Sequence, residues 1–154
     1  MEVPVTQQPR DAHTRKADTL AKLREPAADV WVASAADGVA HLVPLSLAWL
    51  DERVVLALEE RSATARNVTA AGAARLGVGP TRDVVMVDAV LERTVPVAAA
   101  PPELADGYAA QADWDPRDAE GYVFLVLRPV RIQAWREVNE LAGRTLMRDG
   151  AWLV

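Results

Sequence analysis

The sequence contains no cysteine in its 154 residues. Disulfide bonds, thiolate catalysis and cysteine metal sites are therefore excluded. The two histidines, His13 and His41, stand far apart in the chain, so no metal site is expected. No serine occupies a G-x-S-x-G elbow, which argues against a hydrolase of that type.

The sequence also lacks an excess of basic residues and any long apolar run. Its formal net charge is −5, whereas a general nucleic-acid binder usually shows a basic excess. No apolar run approaches the roughly 20 residues that a membrane-spanning helix needs. Residues 1–16 contain no apolar core of a signal peptide. We therefore expect a cytoplasmic protein that binds neither nucleic acid nor a membrane.

The composition is that of a folded domain. Apolar residues make up 51% and charged residues 25% of the chain, and its length suits one domain. Residues 1–12 are polar and carry two prolines, so we expect a flexible N-terminal arm. Residues 13–154 are predicted to form a single domain that begins with a helix over 14–25.

Short turns link a series of extended apolar runs. Asp37-Gly38 is a strong tight-turn signal, and Asp51-Glu52 makes another turn. We expect six or seven antiparallel strands and two further helices over 62–71 and 101–112, with no strand in the polar tail after residue 137. The strands are predicted at residues 30–35, 39–50, 53–59, 74–79, 83–98 and 122–137, the last broken at Pro129. This pattern predicts a mainly β fold, a small antiparallel barrel or sandwich with helices at its ends.

The stretch RSATARNV, residues 61–68, opens the second helix directly after an apolar strand. Ser62 is placed to be the N-cap, and Gly72 is placed to end the helix. Thr64 lies in the first turn and Arg66 follows Ser62 by four residues, on the same face. Two hydroxyls, free amides and a guanidinium group suit a phosphate. On the local pattern alone, a capped surface helix with a solvated Arg66 is the alternative.

Two single residues carry further expectations. Pro44 lies inside the second predicted strand, and proline donates no backbone hydrogen bond. It therefore marks an edge, a bulge or an open seam of the sheet. Trp152 lies close to the end of the sequence, and we expect it to be docked there on another subunit.

Three stretches together resemble a known family. They are HLVPLSLAWLDERVVLALEERSATARNV, ARLGVGPTRDVVMVDAVLE, and AWRE followed by GRTLMRDGAWLV. In this order, over residues 13–154, the sequence resembles the pyridoxamine 5′-phosphate oxidase-like split-barrel family, whose members bind flavins or the deazaflavin coenzyme F420. The helix start S-x-T-x-R-N is the most specific of these features.

The resemblance implies a homodimer with a six-stranded antiparallel split β-barrel, flanking helices, and cofactors at the subunit interface. FMN is the expected cofactor and coenzyme F420 the alternative. The positions that match the family's cofactor site are Ser62, Thr64, Arg66 and Asn67 at the phosphate, Val43, Pro44, Leu45 and Ser46 beside the ring, Thr81 and Arg82 near the ring, and Trp152, which approaches the partner's cofactor.

The implied activity is an oxidoreductase that transfers hydride to or from a small conjugated substrate, and no catalytic residue is assigned. The C-terminal GRTLMRDGAWLV lacks the arginine-rich motif of true pyridoxamine phosphate oxidases, so oxidation of vitamin B6 is not expected. Two alternatives stay open. One is a non-catalytic flavin carrier, and the other is a haem-handling split barrel, for which His41 is the candidate residue.

Overall fold

The computed structural model describes residues 7–154 and contains three α-helices and nine β-strands within that range. The helices are α1 (Ala12–Arg24), α2 (Ala63–Ala71) and α3 (Pro102–Ala112). The strands are β1 (Asp29–Ala36), β2 (Val39–Ser46), β3 (Ala48–Leu50), β4 (Arg53–Glu59), β5 (Ala73–Val78), β6 (Val84–Pro96), β7 (Tyr122–Trp135), β8 (Thr145–Arg148) and β9 (Ala151–Trp152). No helix in the described part of the chain is long and apolar enough to cross a membrane.

All nine strands belong to one antiparallel sheet. Along the sheet the order is β2-β1-β5-β6-β7-β4-β3, and the hairpin of β8 and β9 is attached to β7. The two longest strands, β6 and β7, have 13 and 14 residues and pair along most of their length, so they form the spine of the sheet. The sheet stays open between its two end strands, β2 and β3. The prediction of a mainly β, antiparallel fold with flanking helices is confirmed.

The sheet has nine strands rather than the expected six or seven. The first reason is Leu47, which divides the predicted strand 39–50 into β2 and β3. Its backbone N–H leaves the ladder and donates to the carbonyl oxygen of Ala28 at 3.1 Å, and its side chain is fully buried. Burial of this one leucine therefore turns the chain between the two strands.

The second reason is a C-terminal hairpin in the tail to which no strand was assigned. Asp149 and Gly150 join β8 to β9 with φ angles of 52° and 78°, the left-handed pair that a two-residue hairpin turn requires. Leu146 and Met147 of β8 are buried in the core. The same Asp-Gly signal that marks the first hairpin was therefore present here too, within a segment that looked polar.

The expected break at Pro129 is a β-bulge instead. β7 continues through this residue, but the ladder changes register, because Asp88 pairs with Arg131 while Ala89 pairs with Pro129. Val130 is the extra residue, and its carbonyl oxygen accepts a hydrogen bond from the backbone N–H of Gly150 at 2.9 Å. The bulge therefore frees a carbonyl group that holds the C-terminal hairpin.

Two neighbouring strands, β4 and β7, are buried on both faces. In β4, Leu56 packs into the larger core with α1 and α2, whereas Ala57 packs into a second cluster beneath α3. In β7, Leu125 packs into the larger core, whereas Phe124 packs into the second cluster beneath α3. Double-sided burial explains why these strands are near-continuous apolar runs rather than alternating ones.

A network of buried charges attaches the N-terminal segment to the rest of the domain. The guanidinium group of Arg10 donates to Glu140 at 2.8 and 3.0 Å and to Asp18 at 3.1 Å. The side chains of Arg10 and Glu140 are only 7% and 3% exposed. Residues 1–6 of the expected flexible arm lie outside the described residues, but around Arg10 this segment is docked.

The Arg10–Glu140 pair makes folding sensitive to acid. Hydrogen bonds from the Arg10 side chain lower the pKa of Glu140 from 4.5 to about 2, against the opposing effect of burial. Because this pKa is lowered by folding, the stabilisation is complete above the ordinary pKa and is lost as the pH falls from about 4.5 toward about 2.

We predict that Glu140→Gln lowers the free energy of unfolding by about 3 kcal/mol at pH 7, because it removes the most buried of the carboxylates that pair with Arg10. Urea unfolding at pH 7 and pH 3 measures this effect, and the variant should lose less stability than the parent on acidification. Glu92→Gln, at the exposed Arg53–Glu92 pair, is the control and should cost less than about 1 kcal/mol. Equal effects of the two substitutions would contradict the assignment.

Candidate functional site

A cleft of about 460 Å³ opens where the sheet fails to close. One wall is the edge strand β2, from His41 to Ser46, and the opposite wall is the end of β4. The start of α2 lies at one end of the cleft, and two aromatic side chains, Trp114 and Tyr122, also line it. The cleft therefore collects residues from four separate segments of the chain.

Pro44 lies on the wall formed by the edge strand. Within the described residues β2 pairs only with β1, where Pro44 stands opposite Trp31. Proline offers no N–H to a further strand, so the sheet cannot be continued with a full ladder at this residue. Pro44 also lines the same cleft as Ser62 and Thr64. The structure therefore has Pro44 at the predicted edge position, in the same cleft as the start of α2.

The start of α2 has the capping geometry that the sequence indicates. Ser62 is the N-cap, and its hydroxyl oxygen accepts from the N–H of Ala65 at 3.2 Å. Thr64 is 2% exposed and lines the cleft together with Ser62. Gly72 ends the helix in the left-handed conformation, with φ of 72°. The first turn contains no acidic residue, so the positive end of the helix dipole is not neutralised within the helix.

Two predicted residues of the same helix point elsewhere. The amide nitrogen of Asn67 donates to the hydroxyl oxygen of Ser34 in β1 at 3.2 Å, which ties the helix to the sheet. Arg66 is exposed and does not line the cleft. Six predicted residues therefore meet in one cleft, namely Val43, Pro44, Leu45, Ser46, Ser62 and Thr64.

The remaining three predicted residues lie outside this cleft in the protomer. Thr81 and Arg82 are exposed in the turn between β5 and β6, and Arg82 forms an ion pair with Glu137 at 2.7 Å. The indole N–H of Trp152 donates to Glu52 at 3.2 Å, and the ammonium group of Lys16 lies 4.7 Å from the ring centroid. Trp152 thus contacts its own domain, and its place at an interface between two subunits stays a prediction.

The aromatic floor of the cleft was not found from the sequence. Trp114 contacts both Tyr108 and Tyr122 edge-on, with ring centroids 5.9 and 5.8 Å apart, and Tyr108 packs on Phe124 at 5.3 Å. From the sequence, the segment that contains Trp114 is predicted only to be an acidic loop. No local pattern signals that α3 and β7 bring these rings together.

Tyr108 places a buried hydroxyl group beneath the cleft. The residue is fully buried, and its hydroxyl oxygen has no hydrogen-bond partner among residues 7–154. Burial raises the pKa of Tyr108 to about 12, an effect only partly offset by its polar neighbours Trp114, the backbone of Ala57 and Ser46. All three neighbours line the cleft. The cleft therefore combines apolar walls, an aromatic floor and an underused hydrogen-bond donor.

We predict that Tyr108→Phe raises the free energy of unfolding of the ligand-free protein by about 1 kcal/mol, because it removes a buried hydroxyl group without a partner and keeps the ring. Urea unfolding of the parent, this variant and the control Tyr122→Phe measures the change. Tyr122 is half-buried, so its substitution should leave stability nearly unchanged. A loss of stability in Tyr108→Phe would mean that the hydroxyl group is already satisfied.

No family model matches the sequence, and no curated protein matches it. An F420 reductase structure is 23% identical, with 73% of this chain and 94% of that chain covered and a TM-score of 0.57. A haem-binding protein from Mycobacterium smegmatis is 19% identical over 92% of this chain, with a TM-score of 0.62, and this chain spans 58% of that protein.

A putative pyridoxamine 5′-phosphate oxidase from Listeria innocua is 13% identical, with 80% of this chain and 98% of that chain covered and a TM-score of 0.58. At these levels of identity the similarity establishes the fold and not the activity. The open antiparallel sheet with its three flanking helices is the fold of the pyridoxamine 5′-phosphate oxidase-like split-barrel proteins.

Proposed function

We propose that this protein binds a flavin-type cofactor, FMN or coenzyme F420, in the cleft between β2 and α2, and that it is an oxidoreductase. The observation that carries the proposal is the meeting of the edge strand around Pro44 with the capped helix start at Ser62 and Thr64. A flat ring needs an apolar wall and a phosphate needs N–H and hydroxyl donors. The cleft offers the apolar wall along β2 and the hydrogen-bond donors at the start of α2.

The residues present fit such a ligand. Val43, Pro44 and Leu45 supply an apolar wall, and Trp114 and Tyr122 an aromatic one. At the helix end, the first-turn amides and the hydroxyl groups supply hydrogen-bond donors for an anion. One group opposes an anion, because Glu59 also lines the cleft. The phosphate is therefore proposed to lie at Ser62 and Thr64, away from the end of β4.

Arg66 is proposed to complete the phosphate site from outside the cleft. It follows Ser62 by one turn of α2, its side chain is exposed, and it forms no ion pair within residues 7–154. An exposed arginine is free to turn toward an anion at the helix end, and a guanidinium group binds phosphate oxygens through two hydrogen bonds.

The bound cofactor would supply hydride transfer, and the chain would supply position and environment. The walls of the cleft would hold the ring and exclude water from it. Tyr108 and Ser46 would place hydroxyl groups beneath the ring. A small conjugated substrate is proposed because a substrate of this kind can exchange a hydride with the ring of such a cofactor.

We further propose that two copies form a symmetric dimer on the outer face of β1 and β2. Trp31 and Leu42 are 53% and 60% exposed on this face, although both are large apolar side chains. Their register neighbours Pro44 and Ala33 extend the patch. An apolar patch of this kind is typical of an interface between subunits. In the dimer, Thr81, Arg82 and Trp152 are proposed to approach the partner's cofactor.

Haem is the second candidate ligand, because His41 lines the same cleft and is half-buried there. One of the similar structures is a haem-binding protein. A neutral imidazole is a common axial ligand of haem iron. The visible spectrum of the purified protein separates the candidates, since flavin, deazaflavin and haem absorb differently.

A protein that retains flavin without turning over any substrate would be a carrier.

We predict that Arg66→Ala weakens the binding of FMN or F420 by roughly 10- to 150-fold, because a charge-assisted contact contributes about 1.5–3 kcal/mol. Ser62→Ala should weaken binding less but should lower helix stability by about 1 kcal/mol through the lost cap. Cofactor titrations and ligand-free thermal melts of both variants separate the two effects. Arg24→Ala, an exposed arginine on α1, is the control. If Arg66→Ala binds both cofactors as tightly as the parent, the phosphate is not held by this helix.

We predict that Trp31→Asp converts the dimer to monomers, because it places a charge in the centre of the proposed interface. Val138→Asp is the matched control, since Val138 is 79% exposed and lies on a different segment. Light scattering at micromolar concentration measures the molar mass of each variant. A monomeric parent protein would contradict the dimer and the shared cofactor site.

A further inference from the structure

We propose that a groove between β7 and the C-terminal hairpin is a second binding site, which takes a small organic phosphate. The groove has a volume of about 640 Å³ and lies between the later part of β7, the 141–144 turn and β8. It shares no lining residue with the cleft at Pro44. This second site is independent of the cofactor proposed for that cleft.

The groove concentrates positive charge that the chain does not neutralise. Arg131, Arg144 and Arg148 all line it, and no acidic residue does. None of the three forms an ion pair within residues 7–154, although the net charge of the protein is −5. In contrast, seven other arginines have a carboxylate partner, namely Arg10, Arg15, Arg53, Arg75, Arg82, Arg117 and Arg136.

Asp88 is the acidic residue best placed to neutralise the groove, but it is already paired with another arginine. Asp88 stands directly opposite Arg131 in the ladder between β6 and β7. Its two carboxylate oxygens accept hydrogen bonds from Arg75 of β5 at 2.6 and 3.4 Å. Arg75 therefore occupies the carboxylate that would otherwise pair with Arg131.

Arg144 is held in place for binding. Its guanidinium carbon lies 5.6 Å from the centroid of the Trp135 ring, and the residue is half-buried. A guanidinium group resting on an aromatic face keeps its N–H edges free, so it loses little conformational freedom when it binds an anion.

The uncharged polar lining also suits an oxyanion. The side-chain amide of Gln133 donates to the hydroxyl oxygen of Thr145 at 3.2 Å. The Thr145 hydroxyl group accepts this bond and keeps its own hydrogen to donate. Thr145 therefore adds a neutral donor beside the three guanidinium groups.

These groups favour a phosphate over a single carboxylate. One guanidinium group satisfies one carboxylate through two bonds, whereas three groups and a hydroxyl match the several oxygens and the roughly −2 charge of a phosphate monoester. Leu141 and Leu153 line the groove and are 39% and 51% exposed, so they offer an apolar surface that the carbon part of the ligand can contact. The small volume and the negative net charge favour a small molecule over a nucleic acid.

The test is a titration of the ¹⁵N-labelled protein with inorganic pyrophosphate, followed through backbone amide shifts. We expect the amides of residues 143–145 to shift, and we expect saturation below about 1 mM at low ionic strength. Shifts confined to the helix start at residues 62–65 would place the anion in the other cleft and overturn this site. The absence of shifts in both regions would overturn it too.

Substitution of two exposed arginines tests whether pyrophosphate binds in the groove. Arg131→Gln and Arg148→Gln should each weaken pyrophosphate binding by about tenfold, measured by calorimetry. Arg24→Gln removes the same charge from an exposed position on α1 and should leave the affinity within about twofold. Equal weakening by all three substitutions would show a general charge effect and contradict the site. Tighter binding of a duplex oligonucleotide than of pyrophosphate would contradict the small-molecule ligand.

Discussion

The structure depends on a sheet that stays open at Pro44 within residues 7–154. An antiparallel sheet of this size would gain hydrogen bonds by joining its two ends, but a proline in the end strand removes a donor that a continuing ladder would need. The backbone of β2 therefore faces a cleft and not another strand. Because the seam stays open, the end of β4 borders it opposite β2, and the start of α2 borders one end of it. Every proposal about a cofactor rests on this gap.

The borders of the seam are rigid because each is anchored elsewhere. β4 is buried on both faces and pairs with β7. At the far end of α2, the carbonyl oxygen of Gly72 accepts from the N–H of Leu91 at 2.8 Å, and Asn67 holds the helix to β1. Beneath the cleft, Tyr108 and its aromatic neighbours fill the space under α3. A ligand would thus meet walls that are already formed, which reduces the entropy lost on binding.

Local chemistry in the sequence was enough to locate the three helices, the strands up to β7 and half of the candidate site. The Ser62 cap, the Gly72 end, the Asp37-Gly38 turn and the edge proline are signals within a few residues, and the structure has each of them. The aromatic floor depends on contacts between distant segments and had no such signal. The β8–β9 hairpin did have one, in Asp149-Gly150, but burial of Leu146 and Met147 in a polar-looking tail hid it. Likewise, the arginine groove forms only because the hairpin returns to β7 at the Val130 bulge.

A crystal structure of the protein grown with FMN, and a second grown with coenzyme F420, would test the central claim most directly. We expect density for the ring against residues 43–46 and density for the phosphate within hydrogen-bonding distance of Ser62 and Thr64. Density for the ligand at any other place, with the cleft between β2 and α2 empty, would contradict it.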